Sequence, residues 1–291
     1  MSRELKRGPD GALERRRNVF RPDLADVRLT GLVEAARFVE GRPAVCVAPT
    51  TPYRDNPDPE EAYSASLILG EPVRIFEEKD GWAWVQSERD AYVGYARSDA
   101  FAAPGAAPTH RVRVARAHQY PRADFKAPLA GWAPLGGLVA LSGRSEGRFV
   151  ETAEGLWMVG AHLLEIGERE PDWTGVAERL LGAPYLWGGE TVEGVDCSGM
   201  VQIALEQAGL PCPRDSDMQE RELGATLPPD AALRRGDVVF WKGHVGLMLD
   251  GETLLHANAG AMLCATENLR ATIARVEAAG EGGPTAFKRL D

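Results

Sequence analysis

Apolar positions fall into three regimes along the chain. In the stretch "DVRLTGLVEAARFVEG" they recur at Leu29, Leu32, Val33 and Ala36, the spacing of one helix face, and the run stops at Gly41. From about residue 42 to 166 the pattern shortens into strand-like runs broken by glycine: "LGEPVRIF", "GWAWVQ" and "AYVGYA", then "LGGLVALS", "GRFVET" and "LWMVGA". After "GEREPDWT" it lengthens again. "GVAERLLG" reads as helix, and "VQIALEQAG" reads as a second, stopped by Gly209 with Pro211 beyond. "DVVFW", "HVGLML" and "TLLHAN" read as three strands, and helices followed by such a set predict an α+β domain.

The middle regime contains a repeat. Shifted by 66 residues, Leu69, Gly70, Val73, Gly81, Glu88, Val93 and Gly94 fall on Leu135, Gly136, Val139, Gly147, Glu154, Val159 and Gly160. Seven identities in 26 ungapped residues exceed the roughly two expected by chance. Short strands at this spacing predict two small β-barrels in tandem, joined through "AAPGAAPT" at 102–109. The predicted organisation is an arm with a helix at 1–41, barrels at 42–105 and 106–168, and the α+β domain at 169–291.

Composition narrows the functional classes. A net charge of -10 without a basic stripe makes a poor partner for nucleic acid, whose binding depends on neutralising phosphate. The basic runs "RELKR" and "LERRR" are the local exception and read as a solvated arm. No run reaches the roughly 18 apolar residues of a membrane span. The four cysteines form no CxxC pair, which suits a reducing compartment, and the first thirty residues carry no signal-peptide core; both point to the cytoplasm.

Candidate chemistry centres on "GVDCSGM". Asp196 is a good cap residue, so Cys197 falls in the first turn of its helix, where free amides and the dipole favour a thiolate. Ser198 and Gly199 leave room for a substrate. The plain alternative is a buried structural thiol. Two histidines weigh against it: His244 opens "HVGLML" and His256 closes "TLLHAN", on either side of a "DG" turn. One imidazole can take the thiol proton and the other can orient the first. His110, His118 and His162 lie in the barrel region and read as packing or surface polarity. Zinc held by Cys197, His244 and His256 is another reading, as is a non-catalytic binding module built on the barrels.

The hairpin imposes a condition. A two-residue turn at Asp250 and Gly251 would place Val245 opposite His256 and send the two imidazoles to opposite faces. A shared site therefore requires an odd loop or a bulge. A three-residue loop, Leu249 to Gly251 with Gly251 left-handed, puts His244 directly opposite His256; the same loop one position later puts Gly246 there and also keeps both rings on one face.

"PYLWGGETVEGVDCSGMVQ", "PRDSDMQ", "RRGDVVFWKGHVGLML" and "LLHAN", in that order, resemble the NlpC-type cell-wall cysteine peptidases over about 173–291. The repeated copies, especially "GWAWVQSERDAYVGY", resemble bacterial SH3-like domains. The resemblance implies two SH3-like barrels followed by a papain-like α+β peptidase domain with a Cys–His–His triad. Cys197 would be the nucleophile, His244 the base and His256 the orienting residue. Tyr185 matches the family tyrosine beside the thiol, whose hydroxyl donates to the oxyanion. Together with "PRDSDMQ", the SH3-like copies resemble the dipeptidyl-peptidase VI branch, which cuts murein peptides between γ-D-glutamate and a diamino acid and needs a free N-terminal amine. On that likeness Asp215 holds the amine, Ser198 and Ser216 hold the glutamyl carboxylate, Trp187 walls the pocket, and Asp196 falls on a family position. Tyr92 and Glu61, with Glu60 close behind, would close the subsite from the first barrel. Asp215 and Ser216 read equally well as a helix cap. No cofactor or metal is implied; the partners are murein-derived peptides. A murein amidase, an acyltransferase or a wall-cutting endopeptidase could use the same triad.

Overall fold

The structure is a computed structural model that describes residues 5–228 and 230–290. Arg3 and Glu4 of the first basic run lie outside them.

The helix expected after residue 26 does not form. Val27–Leu29 make a single 3-10 turn, and the flanks pair as two short parallel strands, Ala25 with Phe38 and Asp26 with Val39. Gly31 adopts a left-handed φ of 79°, which interrupts a helix, and Leu32 of the supposed apolar face is exposed. Leu24, Ala25 and Leu29 are buried instead, so tertiary packing decides the conformation.

The next segment is one seven-stranded antiparallel sheet between Arg42 and Ala102, closed around Ala44, Leu67, Val73, Ala83, Val85 and Ala96. Between His110 and Glu165 the chain makes three smaller sheets around Val112, Ala117, Ala133 and Met158. The sequence repeat is visible in matching turns: Gly70 and Gly136 have φ of 79° and 83°. The two turns also touch, since the Leu138 amide donates to the Leu69 carbonyl at 2.8 Å. A Cβ on Gly70 would sit 2.3 Å from the Leu138 carbonyl oxygen.

The C-terminal part has a six-stranded sheet. Its order is Ala225–Thr226, Ala286–Arg289, Asp237–Trp241, His244–Met248, Thr253–Asn258, Leu263–Asn268, each neighbour antiparallel. Helices α1 (Trp173–Glu178), α2 (Cys197–Gln207), α3 (Ser216–Glu222) and α4 (Leu269–Ala278) accompany it. Ten of the eleven residues of α2 are buried. A helix so placed has no solvent face, which explains why "VQIALEQ" shows no polar stripe. Its apolar residues pack on Val238, Val245 and Leu255 of the sheet, and Ile203 also meets the turn at Gly136. Helix α2, which starts at Cys197, is therefore the axis on which the three parts of the chain converge. No helix among the described residues is long and apolar enough to cross a membrane.

Candidate active site

Helix α2 begins where the sequence places it. Asp196 is its N-cap, with extended backbone, and Oδ1 accepts from the Gly199 amide at 2.7 Å. Oδ2 accepts from the Gly188 amide at 2.8 Å, tying the helix start to the preceding loop. A Cβ on Gly199 would lie 2.3 Å from the Gly189 carbonyl oxygen, so only glycine permits this approach. The same carboxylate takes both Nη atoms of the buried Arg214, at 3.0 and 2.7 Å. Arg214 Nε reaches Glu190 at 2.8 Å, and Glu190 takes Arg89 Nη2 of the first barrel at 2.5 Å. The cap is thus one end of a buried chain of charges that crosses between two parts of the molecule.

Cys197 is 5% exposed. Burial, with the Asp196 carboxylate next to it, pushes its thiol up to about 12, against the pull of the Val245 and Ser198 amides. The helix start was expected to favour a thiolate; here desolvation outweighs it, and the proton rests on sulfur.

The two imidazoles share one face. His244 Nε2 and His256 Nδ1 are 2.8 Å apart, with ring centroids separated by 5.1 Å. The register is the second alternative, not the favoured one: Leu247 pairs with Leu255 and Met248 with Leu254, which places Gly246 opposite His256. The loop closes one position later than expected, with the Leu249 amide on the Thr253 carbonyl at 2.8 Å. Gly251 is not left-handed. Asp250 closes the turn instead, its Oδ1 accepting from the Glu252 and Thr253 amides at 2.8 and 2.7 Å. An Asx-type side-chain bond replaces the glycine kink. With Nε2 committed to His256, His244 has Nδ1 for the thiol, although among the described residues no hydrogen bond joins Cys197 to His244. Burial holds His244 down to about 3 and His256 down to about 4, so both are neutral. His256 Nε2 lies 3.1 Å from Asn258 Nδ2 and 3.6 Å from Glu267 Oε2. The tight pairing of the two rings also disfavours zinc, because the facing nitrogens are turned to each other.

A cleft of ≈ 360 Å³ opens at Cys197. It gathers eight of the sequence candidates: Glu61, Tyr92, Trp187, Asp196, Cys197, Ser198, Asp215 and Ser216. Tyr185, His244 and His256 are not among its lining. Tyr185 is half-buried, its phenol raised above its ordinary value by burial and by the nearby thiol and Asp196. Asp215 stands at the N-cap of α3 but makes no capping bond with its side chain. Its Oδ2 faces Tyr92 Oη at 3.3 Å and Arg16 Nη1 at 2.8 Å. Ser198 is buried and its hydroxyl already serves Asp196 and Arg214, at 3.3 and 2.8 Å. Glu61 is half-buried, with a long contact to Asn56 at 3.4 Å. A larger cavity of ≈ 450 Å³ lies behind α2 at Ile203 and Glu206, away from Cys197.

The expectation of a solvated basic arm is corrected. Arg17 is 5% exposed and clamps Glu222, while Arg16 enters the cleft. Arg214, Glu190 and Arg89 were not anticipated either. A run such as "LERRR" carries no sign of which arginine is buried, and ion pairs spanning 100 residues leave no local pattern.

Residues 182–275 match the NlpC/P60 family, and residues 53–101 match the bacterial dipeptidyl-peptidase Sh3 domain. The chain carries an NlpC/P60 domain behind a dipeptidyl-peptidase-type Sh3 domain. The murein DD-endopeptidase MepS/murein LD-carboxypeptidase of Escherichia coli is 35% identical over 102 residues, 33% of this chain and 50% of that protein. The gamma-D-glutamyl-L-lysine dipeptidyl-peptidase of Bacillus subtilis is 39% identical over 86 residues, 27% of this chain and 28% of that protein. The chain thus spans half or less of the length of these curated relatives. The crystal structure of an NlpC/P60 family protein from Bacillus cereus shares the fold over 85% of this chain and 99% of its own, with a TM-score of 0.71 at 18% identity.

Proposed function

We propose that the chain is a cysteine peptidase of murein peptides, hydrolysing the bond between γ-D-glutamate and a diamino acid when the N-terminal L-Ala amine is free, in the cytoplasmic turnover of wall fragments. The observation that carries this reading is Asp215. A residue at a helix N-cap ordinarily bonds the helix's own amides. Here the carboxylate faces Tyr92 across a cleft that also holds Cys197 and Glu61. A fixed anion in a partly desolvated pocket suits a substrate ammonium.

The geometry supports the following chemistry. With its own proton on Nε2 and donated to His256 Nδ1, His244 takes the Cys197 proton at Nδ1 as sulfur attacks the glutamyl γ-carbonyl, and His256 in that pairing turns its Nε2–H towards Glu267. The oxyanion is stabilised by the Cys197 amide and the Tyr185 hydroxyl, which burial keeps protonated. The imidazolium returns its proton to the leaving amine of the diamino acid. Water then hydrolyses the thioester, with His244 as base. Because thiol and imidazole are both neutral before reaction, the proton moves as the substrate's carbonyl accepts charge rather than in advance.

The test is mass spectrometry of products from L-Ala-γ-D-Glu-diamino-acid tripeptides with free and acetylated N-termini, with Cys197→Ala as the inactive control. Losing a charge-assisted contact of about 2 kcal/mol lowers kcat/KM roughly thirtyfold for the acetylated peptide. Equal rates on the two peptides would replace this reading with that of a wall-cutting endopeptidase.

A further inference from the structure

Arg16 belongs to the short turn Arg15–Arg17, far in sequence from every residue of the site. The turn is pinned from two sides. The Arg17 carbonyl accepts from Gln86 of the first barrel at 3.0 Å, and its guanidinium holds Glu222 at the end of α3 at 2.5 and 3.0 Å. Arg16 is therefore placed by its neighbours rather than by its own flexible stem. Its Nη1 reaches Asp215 Oδ2 at 2.8 Å and Asp217 Oδ1 at 2.9 Å. Nη2 reaches Asp217 Oδ2 at 2.9 Å and Glu14 Oε2 at 3.2 Å, while Nε reaches Glu14 Oε1 at 3.1 Å.

We propose that Arg16 is a positioning residue of the amine subsite: it acts through Asp215, fixing that carboxylate by Oδ2 and leaving Oδ1 to the substrate's ammonium group. The inference rests on the amine-binding reading of Asp215 given above.

Three observations carry it. First, Oδ1 of Asp215 accepts no hydrogen bond among the described residues, whereas Oδ2 takes both Arg16 and Tyr92. One oxygen is anchored and the other is free. Second, the charges do not balance without a ligand. Glu14, Asp215 and Asp217 are three carboxylates; Arg16 and Arg221, the latter on Asp217 at 2.8 Å, are two guanidiniums. With Arg214 engaged by Asp196 and Glu190, one negative charge remains in this group, and the positive charge of an ammonium group balances it. Third, Arg16 makes four side-chain bonds besides the one to Asp215, to Glu14 and Asp217. It has no reason to leave when an amine enters, so it is a wall of the subsite and not a plug.

The charged and titratable groups facing Asp215 are Arg16 from the arm, Arg214 beside it, Asp217 on α3 and Tyr92 from the first barrel. Burial pushes Asp215 towards its neutral form, and the two arginines oppose that. Arg214 is already committed to Asp196 and Glu190, which leaves Arg16 as the cation bonded to Asp215. Removing it loosens the carboxylate and favours its protonation.

The experiment compares wild type, Arg16→Gln and Arg16→Lys on free and acetylated L-Ala-γ-D-Glu-diamino-acid tripeptides between pH 5.5 and 8, with circular dichroism to check folding. Arg16→Gln raises KM for the free-amine peptide about tenfold, with kcat within about twofold and KM for the acetylated peptide unchanged. The rise is larger at the acid end, where Asp215 of the variant takes up a proton sooner. Arg16→Lys, which keeps the charge without the fork, restores part of the loss. A fall in KM for Arg16→Gln overturns the proposal, because Arg16 would then be a competitor of the amine. An equal rise for both peptides, or no change, overturns it as well. If Arg16→Gln fails to fold, the lysine variant decides by the same split between free and acetylated substrate. Wild type that treats both peptides alike sinks the amine subsite itself, before any variant is made.

Discussion

Gly246→Ala is the sharpest perturbation of the imidazole pair. Gly246 lies opposite His256, and a Cβ built on it meets Leu254 Cδ1 at 2.8 Å and His256 Cβ at 3.1 Å. The leucine methyl can rotate away. The histidine Cβ is fixed to a central strand and must retreat by a few tenths of an ångström. The His244–His256 bond is 2.8 Å, so the retreat stretches it towards the limit of about 3.2 Å for a good N–H donor. Since about 1 Å of misplacement costs on the order of a hundredfold in rate, this shift lowers kcat about tenfold. Overpacking a buried strand adds about 1–3 kcal/mol of destabilisation. The paired control is Gly251→Ala at the loop. Gly251 is not left-handed, and a Cβ there meets only the Leu233 carbonyl oxygen at 3.3 Å, away from both imidazoles, so kcat stays near wild type while stability falls slightly as that carbonyl gives way. The assay is kcat on the free-amine tripeptide together with the urea midpoint for each variant. Wild-type kcat in Gly246→Ala would refute the register argument; a large loss in Gly251→Ala would show that the turn is built on glycine after all.

Two further outcomes follow from the protonation states. The rate of Cys197 alkylation by iodoacetamide rises about tenfold per pH unit from pH 6 to 9, because burial keeps the proton on sulfur until the bulk pH removes it; a flat rate over that range would instead reveal a preformed thiolate–imidazolium pair. Glu71 and Glu206 crowd around Arg89, and burial raises them to about 7 and about 8. A raised folded-state pKa means the native state holds the extra protons, so the stability contributed is full below the unfolded pKa of about 4.3 and is lost as pH rises through 7 and 8, at up to about 1.4 kcal/mol per pH unit per group. The urea midpoint therefore falls from pH 5 to pH 8, and Glu206→Gln flattens the fall; a midpoint that climbs over that range contradicts the assignment.

Three of the six strands of the C-terminal sheet, the cap at Asp196 and the shared face of the histidines were legible because each depends on residues within about a dozen positions; the strands at 225–226, 263–268 and 286–289 were not read. Alternation along "HVGLML" and "TLLHAN" settles which face a side chain takes once the parity of the loop is known. What sets that parity was misread: "DG" suggested a glycine kink, whereas the Asp250 carboxylate closes the loop through two amides. The helix expected at 29–36 failed because four apolar positions with helical spacing can arise by chance, and Gly31 breaks the run from within. The arm's role was hidden for a different reason. A solvated arginine and a buried one look alike in sequence, and the partners of Arg16 and Arg17 lie about 200 positions away.

The same long-range logic governs the setting of Cys197. A buried guanidinium is stable only where carboxylates surround it, and a buried carboxylate only where donors do. Arg214 supplies both Asp196 and Glu190, and Arg89 supplies Glu190 from the opposite side. Asp196 in turn caps the helix that presents Cys197 and ties it to the Gly188 loop. Removing the first barrel would strip Arg89 from Glu190, leave the acids of this cluster to share one arginine, and loosen the carboxylate that orients the start of α2. The barrel is therefore electrostatically part of the surroundings of Cys197, in addition to lending Tyr92 to its cleft. A C-terminal domain cut free of it would present Cys197 on a helix whose cap has lost its support, with His244 and His256 unchanged on their strands.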